Sequence, residues 1–475
     1  MDTAIVDTTL LTMRDDRLGI VEEGSIAIDD GRIAYVGPAF EFDPAAARTV
    51  IDGRERVTLP GLVNAHTHTG QTLLRGGAQD VPEIEWMNEA LGPFAARMTT
   101  EDRIAGAKLG VLESLSAGTT TFVEYASDVA TLVDEVYLPY GARVVATETI
   151  NEVPDDRTGL GPRELYPFDR EKGREGLDRA NALFDGYSEE PLVTAMYGPQ
   201  ALDMISLDLL DSVRAAARDR DSKVHMHVAQ GGRERRQIEE RYGDDATTVS
   251  VLAEHDVLSE SLIATHCHGT TADERARMVD AGVSMVGCPS SIGAIDGAVP
   301  PLHHYTSLGG TAGIGTDQAP GPGHHDLLRE TRTASLLSKT EQGDPTALPA
   351  WEALRLATIE GARVLGLEDR IGSLAVGKRA DLITVDTRAL GSVPTVTDPF
   401  RTVVPNLVYS ATGAAVRDVL VEGEPIVRDS EFTATDSRTV VDEANERAIR
   451  VFRDGADDWR ETGSELVERA DQGWL

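Results

Sequence analysis

Leu59-Pro60-Gly61-Leu62-Val63-Asn64-Ala65-His66-Thr67-His68 is an apolar run that ends in a turn and in two histidines one residue apart. On a strand, positions i and i+2 project from the same face, so both imidazoles can reach one ion. Alone such a pair is weak evidence, and its weight comes from the residues downstream of it. Short apolar β-runs recur at residues 59–65, 119–124, 143–148, 192–197, 223–229, 262–266, 283–286 and 311–315, with amphipathic helical stretches between them. That alternation predicts an α/β protein built as a (β/α)₈ TIM barrel over residues 59–370. Alternation by itself also fits an open doubly wound sheet.

Outward from the barrel the texture changes. Residues 4–6, 25–28 and 32–36 read as short strands, with Asp29-Asp30-Gly31 as a turn, and the same pattern returns at 380–385 and 416–427, around Glu422-Gly423-Glu424. Neither end has enough strands for a core of its own. Residues 1–58 and 371–430 are therefore expected to form one discontinuous β-sandwich domain, and 431–475 a charged C-terminal helical extension that packs on the surface.

The 475 residues carry 45 Lys+Arg against 80 Asp+Glu, a formal charge of −35, and only five of the basic residues are Lys. This sign opposes binding to nucleic acid or to anionic membranes. A carboxylate-rich, Lys-poor surface suits a salt-rich, halophilic setting, where ions screen the self-repulsion. No run of eighteen apolar residues occurs and Met1-Asp2-Thr3 opens no signal peptide, so a cytoplasmic protein is expected. Cys267 and Cys288 are the only thiols, which points to a reducing compartment without a disulfide framework.

Six histidines fall at the ends of three strand candidates, the end of a parallel barrel strand that carries catalytic groups. Beyond His66 and His68, the fifth strand supplies His225 and His227 and the sixth supplies His266 and His268. His227, nearer the strand end, is the preferred ligand; His225 is either a second ligand or a hydrogen-bonded core histidine. Asp317 follows the eighth strand in Gly315-Thr316-Asp317, placed to be a ligand and a proton acceptor, or else a helix N-cap. Three imidazoles and a carboxylate suit one divalent ion, Zn²⁺ or Fe²⁺, with a position left for water. His303-His304 and His324-His325 are adjacent pairs whose rings point apart, so neither pair chelates one ion.

These residues resemble the amidohydrolase superfamily, and within it the aminohydrolase branch of 5-methylthioadenosine/S-adenosylhomocysteine deaminases, guanine and 8-oxoguanine deaminases and triazine hydrolases. The likeness rests on Pro60 to His68, Leu73-Leu74-Arg75-Gly76, Gly118-Thr119-Thr120-Thr121, Gly315-Thr316-Asp317, and the run from Ala357 into Ile371-Gly372-Ser373-Leu374 and Lys378-Arg379-Ala380-Asp381-Leu382. The resemblance implies metal ligation by His66, His68, His227 and Asp317 and water positioning by His266. It implies one ion, Zn²⁺ first, because Val193-Thr194-Ala195-Met196 holds no lysine where dinuclear members carry a bridging one. It also allows a homodimer.

The chain departs from that pattern at two places. The proton-shuttling glutamate three residues after the fifth-strand histidine is replaced by Gln230, whose amide has no useful pKa. A Pro-His pair after strand four is here Pro199-Gln200, and the loops 288–293 and 317–321 lack the family's Asn-rich wording. Both departures bear on a nucleoside substrate more than on hydrolytic chemistry. A carboxylate at a strand end, Glu124 or Glu148, or Asp317 itself, is expected to deliver the missing proton. Gln71, Trp86, Gln200 and Glu148 are the candidate substrate contacts, although Gln71 also suits a loop brace, Trp86 local core, and either glutamate a pairing with arginine. The expectation is a metal-dependent hydrolase of a C–N bond in a small cyclic or heteroaromatic compound, a deaminase first. A chlorohydrolase, a cyclic amide hydrolase or a catalytically silent metal-binding barrel are the alternatives.

Overall fold

In the computed structural model, which describes residues 1–154, 164–321 and 323–475, eight parallel strands run side by side in chain order. They are β1 (Leu62–Thr67), β2 (Thr119–Ala126), β3 (Arg143–Ile150), β4 (Val193–Pro199), β5 (Val224–Val228), β6 (Leu262–His266), β7 (Ser284–Gly287) and β8 (Ala312–Ile314). The last meets the first through a parallel bridge between Thr67 and Asp317, which makes the sheet a barrel rather than an open sheet. Gly315 permits that closure: a Cβ there would stand 2.5 Å from the His66 carbonyl oxygen.

The strands are buried on both faces, and β5 shows how. Val224, Met226 and Val228 join Leu209, Leu210 and Val213 of the helix Leu207–Asp219 in one apolar cluster, while His225 and His227 alternate to the barrel interior. Each of those apolar side chains contributes about 1.5–3 kcal/mol by burial.

The first expected strand divides in two. Arg56–Pro60 belongs to a second sheet and Leu62–Thr67 to the barrel, with the break at Gly61, whose Cβ would lie 2.1 Å from Thr120 Oγ1. The second sheet is mixed and has nine strands, drawn from both ends of the chain. Its junction is the antiparallel pairing of Leu382–Asp386 with Arg56–Pro60.

The charged tail forms the helix Ser437–Asp454, which lies on Thr100–Ser116. It buries Val440, Ala444 and Val451, sets Phe452 against Phe94 with the rings tilted and their centroids 4.6 Å apart, and brings Arg447 and Arg450 to Asp102. Asp102 in turn closes a reciprocal cap with Thr99, so one buried carboxylate starts one helix and anchors the other. Among the described residues, no helix is long and apolar enough to cross a membrane.

Candidate metal centre

Barrel closure and assembly of the centre are one event. The Asp317 N–H donates to the His66 carbonyl at 3.0 Å, and the His68 N–H and Thr67 hydroxyl donate to the Asp317 carbonyl at 3.3 and 3.1 Å. Asp317 Oδ1 then lies 3.7 Å from His66 Nε2 and 3.4 Å from His68 Nε2. Its other oxygen, Oδ2, accepts the Ser291 hydroxyl at 2.6 Å, which fixes the carboxylate plane.

The imidazoles are held by their Nδ1 atoms. His68 Nδ1 donates to the Tyr125 carbonyl at 2.6 Å, and His227 Nδ1 to the Gln200 carbonyl at 2.7 Å. A backbone carbonyl only accepts, so both rings carry a proton on Nδ1 and leave Nε2 to face the cluster. His66 Nδ1 sits 3.2 Å from His225 Nε2, and His66 Nε2 is fully buried without a partner among the described residues. The side-chain ligand atoms of His66, His227 and His266, and those of His66, His68 and Asp317, lie within 4.8 Å of one another.

Burial and the neighbouring imidazoles push the His66, His225 and His266 pKa values well below the ordinary range, and that of His227 to about 3, so the rings are neutral at physiological pH. The rings of His66, His68 and His227, each braced at Nδ1 by a carbonyl or a second ring, beside one carboxylate oxygen, fit a divalent ion of the zinc type.

Backbone strain collects at the same end. Ala229, His266, Cys267 and Asp317 all have φ between 50° and 74°, a region non-glycine residues avoid. His266 thereby turns its ring toward His227, 5.3 Å between centroids, and its Nδ1 has no partner among the described residues.

His225 stands behind the cluster, 2.6 Å from Thr265 Oγ1 and in contact with His66, while the His227 ring lies beside those of His68 and His266. His225→Phe is expected to weaken metal binding about 10- to 100-fold, read by competition with a chromogenic chelator.

The other candidates divide. Gln71 follows His68 by one turn, its N–H on the His68 carbonyl at 3.2 Å and its Oε1 unpartnered among the described residues. Gln230 is fixed by its backbone: Glu234 accepts from the Ala229 and Gln230 N–H groups at 3.2 and 2.7 Å. Gln200 contributes through its carbonyl, while its side-chain oxygen is taken by Asn151. Trp86 packs in an apolar cluster with Leu73, Leu91 and Phe94, although its Nε1 lacks a partner among the described residues.

Glu148 is not brought to the centre. Tyr125 faces inward against His66 and His227, and Thr147 pairs with it across the sheet, so Glu148 faces the helices. There it accepts from the Asp128 and Val129 N–H groups at 3.1 and 3.0 Å and from Arg179 at 2.8 Å. Glu124 is likewise turned outward, taking the Thr69 N–H and the Thr69 and Tyr137 hydroxyls. Neither carboxylate is free to deliver a proton. His325 is buried between Thr72 and Thr316, at 2.9 and 3.1 Å.

Sequence reasoning missed Ser291, the two bracing carbonyls and three side chains at the rim, Glu83, Arg233 and Asp296; His268 was counted among the strand-end histidines but given no role. The carbonyls carry no residue-type signal. Ser291 and Glu83 stand inside stretches already singled out, beside Pro289 and Trp86, but nothing in their spacing marks them.

Residues 57–426 match the amidohydrolase family. Curated relatives include the 5-methylthioadenosine/S-adenosylhomocysteine deaminase of Moorella thermoacetica, 35% identical over 430 residues, 90% of this chain and 95% of that one. The 5'-deoxyadenosine deaminase of Methanosarcina mazei is 32% identical over 94% of this chain and 98% of its own. Among solved structures, an adenosine deaminase from Xanthomonas campestris with bound zinc matches at a TM-score of 0.85 and 29% identity, covering 95% of this chain and 98% of that one. An atrazine chlorohydrolase from Arthrobacter aurescens, complexed with zinc, shares the fold at a TM-score of 0.82 and 23% identity, over 94% of this chain and 100% of that one.

Proposed function

The chain belongs to the amidohydrolase family, and from that premise we propose that it is a mononuclear metal-dependent aminohydrolase. It releases ammonia from a small cyclic compound with an amidine-like C–NH₂ group, as its relatives named for adenosine-type deamination do by name. What carries the reading is the gathering, at the strand ends of the barrel, of the ring nitrogens of His66, His227 and His266, and of those of His66 and His68 with an Asp317 carboxylate oxygen. His66, His68, His227 and Asp317 hold the ion, zinc in the first instance.

When bound, the ion lowers the pKa of a coordinated water toward neutrality, so that hydroxide is available at ordinary pH. Asp317, oriented by Ser291, accepts the proton of that water at its carboxylate. His266 positions the water and stabilises the negative charge that develops on the attacked carbon's substituents. Gln71, at the rim, offers an amide to the edge of the ring.

The test has two arms. Purified protein should carry about one zinc per chain, and an ammonia-release screen over purine nucleosides, free purines, pyrimidines, pterins and triazines should find a substrate. No bound metal, with His66→Ala as stable as the wild type, sinks the reading. Gln230 favours a second reading, hydrolysis that needs no proton from that position, such as dechlorination of a heteroaromatic; chloride instead of ammonia in the same screen identifies it. A salt-rich cytoplasm, consistent with the charge of −35, is part of the proposal.

A further inference from the structure

Next to Gln230, where the family's proton-shuttling glutamate is absent, Gly231 adopts φ 133° and ψ −170°. A Cβ on it would lie 3.1 Å from Asp296 Oδ1, 3.1 Å from Glu83 Oε2 and 3.6 Å from His268 Nε2. Three loops at the catalytic end of the barrel thus converge there: the one after β1 with Glu83, the one after β6 with His268, and the one after β7 with Asp296. Glycine suits the position, because L side chains rarely adopt this φ and a Cβ would press on both carboxylates.

The charges of this cluster do not balance. Arg233 reaches Glu83 at 3.1 Å and also pairs with buried Asp203, so one guanidinium serves two carboxylates. Asp296 has no arginine or lysine partner among the described residues; its nearest cation-forming group is His268 Nε2 at 3.7 Å, too far for a hydrogen bond. The His268 side chain is only 6% exposed, and both its ring nitrogens lack a partner among the described residues. Buried polar atoms left open beside an unpaired carboxyl mark a place where a polar ligand sits.

We propose that Asp296, set against Glu83 beside Gly231, is the acid that gives a proton to the substrate nitrogen, in place of the carboxyl group that Gln230 lacks. The proposal rests on the aminohydrolase reading above. As water attacks the carbon and Asp317 takes one of its protons, Asp296 in its acid form protonates the ring nitrogen that the attack makes basic. When the C–N bond breaks, its electrons leave with the amine, which takes the proton from Asp317. Asp296 recovers a proton from the new hydroxyl as that becomes the carbonyl, so one water is consumed and one ammonia leaves.

A general acid must be protonated at working pH. Burial, Glu83 and Asp317 push the Asp296 pKa up to about 7, against the lowering influence of Arg233, and His268, neutral with its own pKa held at about 4, adds no charge. The acid form is lost as pH rises, so kcat should fall above about 7. Removing the Glu83 charge lowers the Asp296 pKa and moves that limb to lower pH.

The experiment uses the best substrate of the ammonia screen. Asp296→Asn is expected to lower kcat by about 10²- to 10⁴-fold with zinc content and melting temperature unchanged, and to remove the alkaline limb from the residual activity. Asp296→Asn with Gln230→Glu should recover part of the loss. In Glu83→Gln the limb should move to lower pH, whatever the change in its height. Asp296→Asn as fast as the wild type, or a limb that stays put in Glu83→Gln, overturns the proposal while leaving the aminohydrolase reading intact. No ammonia from the wild type with any substrate counts against that reading, and the proposal falls with it.

Discussion

Asp317→Asn should abolish nearly all turnover, lowering kcat/KM for ammonia release by about 10⁴-fold, or about 5.5 kcal/mol of transition-state stabilisation. The substitution is well controlled by the backbone. Asp317 has φ 59°, and asparagine tolerates that left-handed region as readily as aspartate, whereas alanine would add strain to a chemical change. Asparagine also keeps the volume and one oxygen to accept the Ser291 hydroxyl, so the closure of β8 on β1 survives. What is lost is specific: the carboxylate oxygen that faces His66 and His68 at 3.7 and 3.4 Å becomes an amide, which neither takes a proton nor balances the charge of a divalent ion. Ser291→Ala leaves the carboxylate and removes only its 2.6 Å orienting bond, so its effect should be smaller by orders of magnitude. Steady-state kinetics beside zinc quantification decides the matter. An Asp317→Asn enzyme that keeps a tenth of wild-type activity would remove Asp317 from the role of proton acceptor.

The contrast between what the sequence revealed and what it hid has a physical basis. Barrel strands buried on both faces read as apolar runs, and histidines interrupting such runs at their ends stand out; hence His66, His68, His227, His266 and Asp317 were legible as a group. Facing is a matter of parity, and parity was available but unused for the glutamates. Once Tyr125 faces inward, Glu124 and Glu148 must face the helices, where backbone N–H groups and Arg179 take them. Gln200 was read for its side chain, but it is its carbonyl that touches the cluster, and backbone groups leave no trace in residue type. Glu83 and Asp296 are harder still. Glu83 opens a short helix and Asp296 ends another, more than 200 residues apart in sequence, and they meet only because the connections after three strands end at one barrel rim. The merged reading of 59–65 failed for a different reason: at Gly61 the chain passes from one sheet to the other, its N–H on the Asp381 carbonyl and the next on the Gly118 carbonyl, at a spot where a Cβ would strike Thr120.

Arg143→Met should cost about 3–5 kcal/mol of stability and leave the chemistry untouched. Arg143 opens β3 at the end of the barrel away from the metal centre, and its side chain is 3% exposed. Its Nε donates to Asp381 Oδ2 at 2.6 Å and Nη2 to Asp381 Oδ1 at 3.2 Å, while Nη2 also meets Glu422 and Nη1 donates to the Pro191 carbonyl at 2.8 Å. Asp381 precedes the strand Leu382–Asp386, which joins the N- and C-terminal parts of the second sheet, and Glu422 sits in the turn of that sheet's hairpin. One guanidinium therefore binds the barrel to the second sheet. Methionine fills much of the volume but leaves Asp381 buried and unpaired; Glu422 keeps Arg379 at 2.6 Å, so the Asp381 carboxylate bears most of the loss. The two charges depend on each other, so Arg143→Met with Asp381→Asn should be more stable than Arg143→Met alone, because the second change removes the stranded charge. Urea unfolding of the two variants beside the wild type gives the energies. Because this end of a barrel serves stability and the opposite end catalysis, zinc content and kcat per folded molecule should not change. A fall in kcat without a fall in stability would mean that the second sheet acts on the active end rather than holding the barrel together.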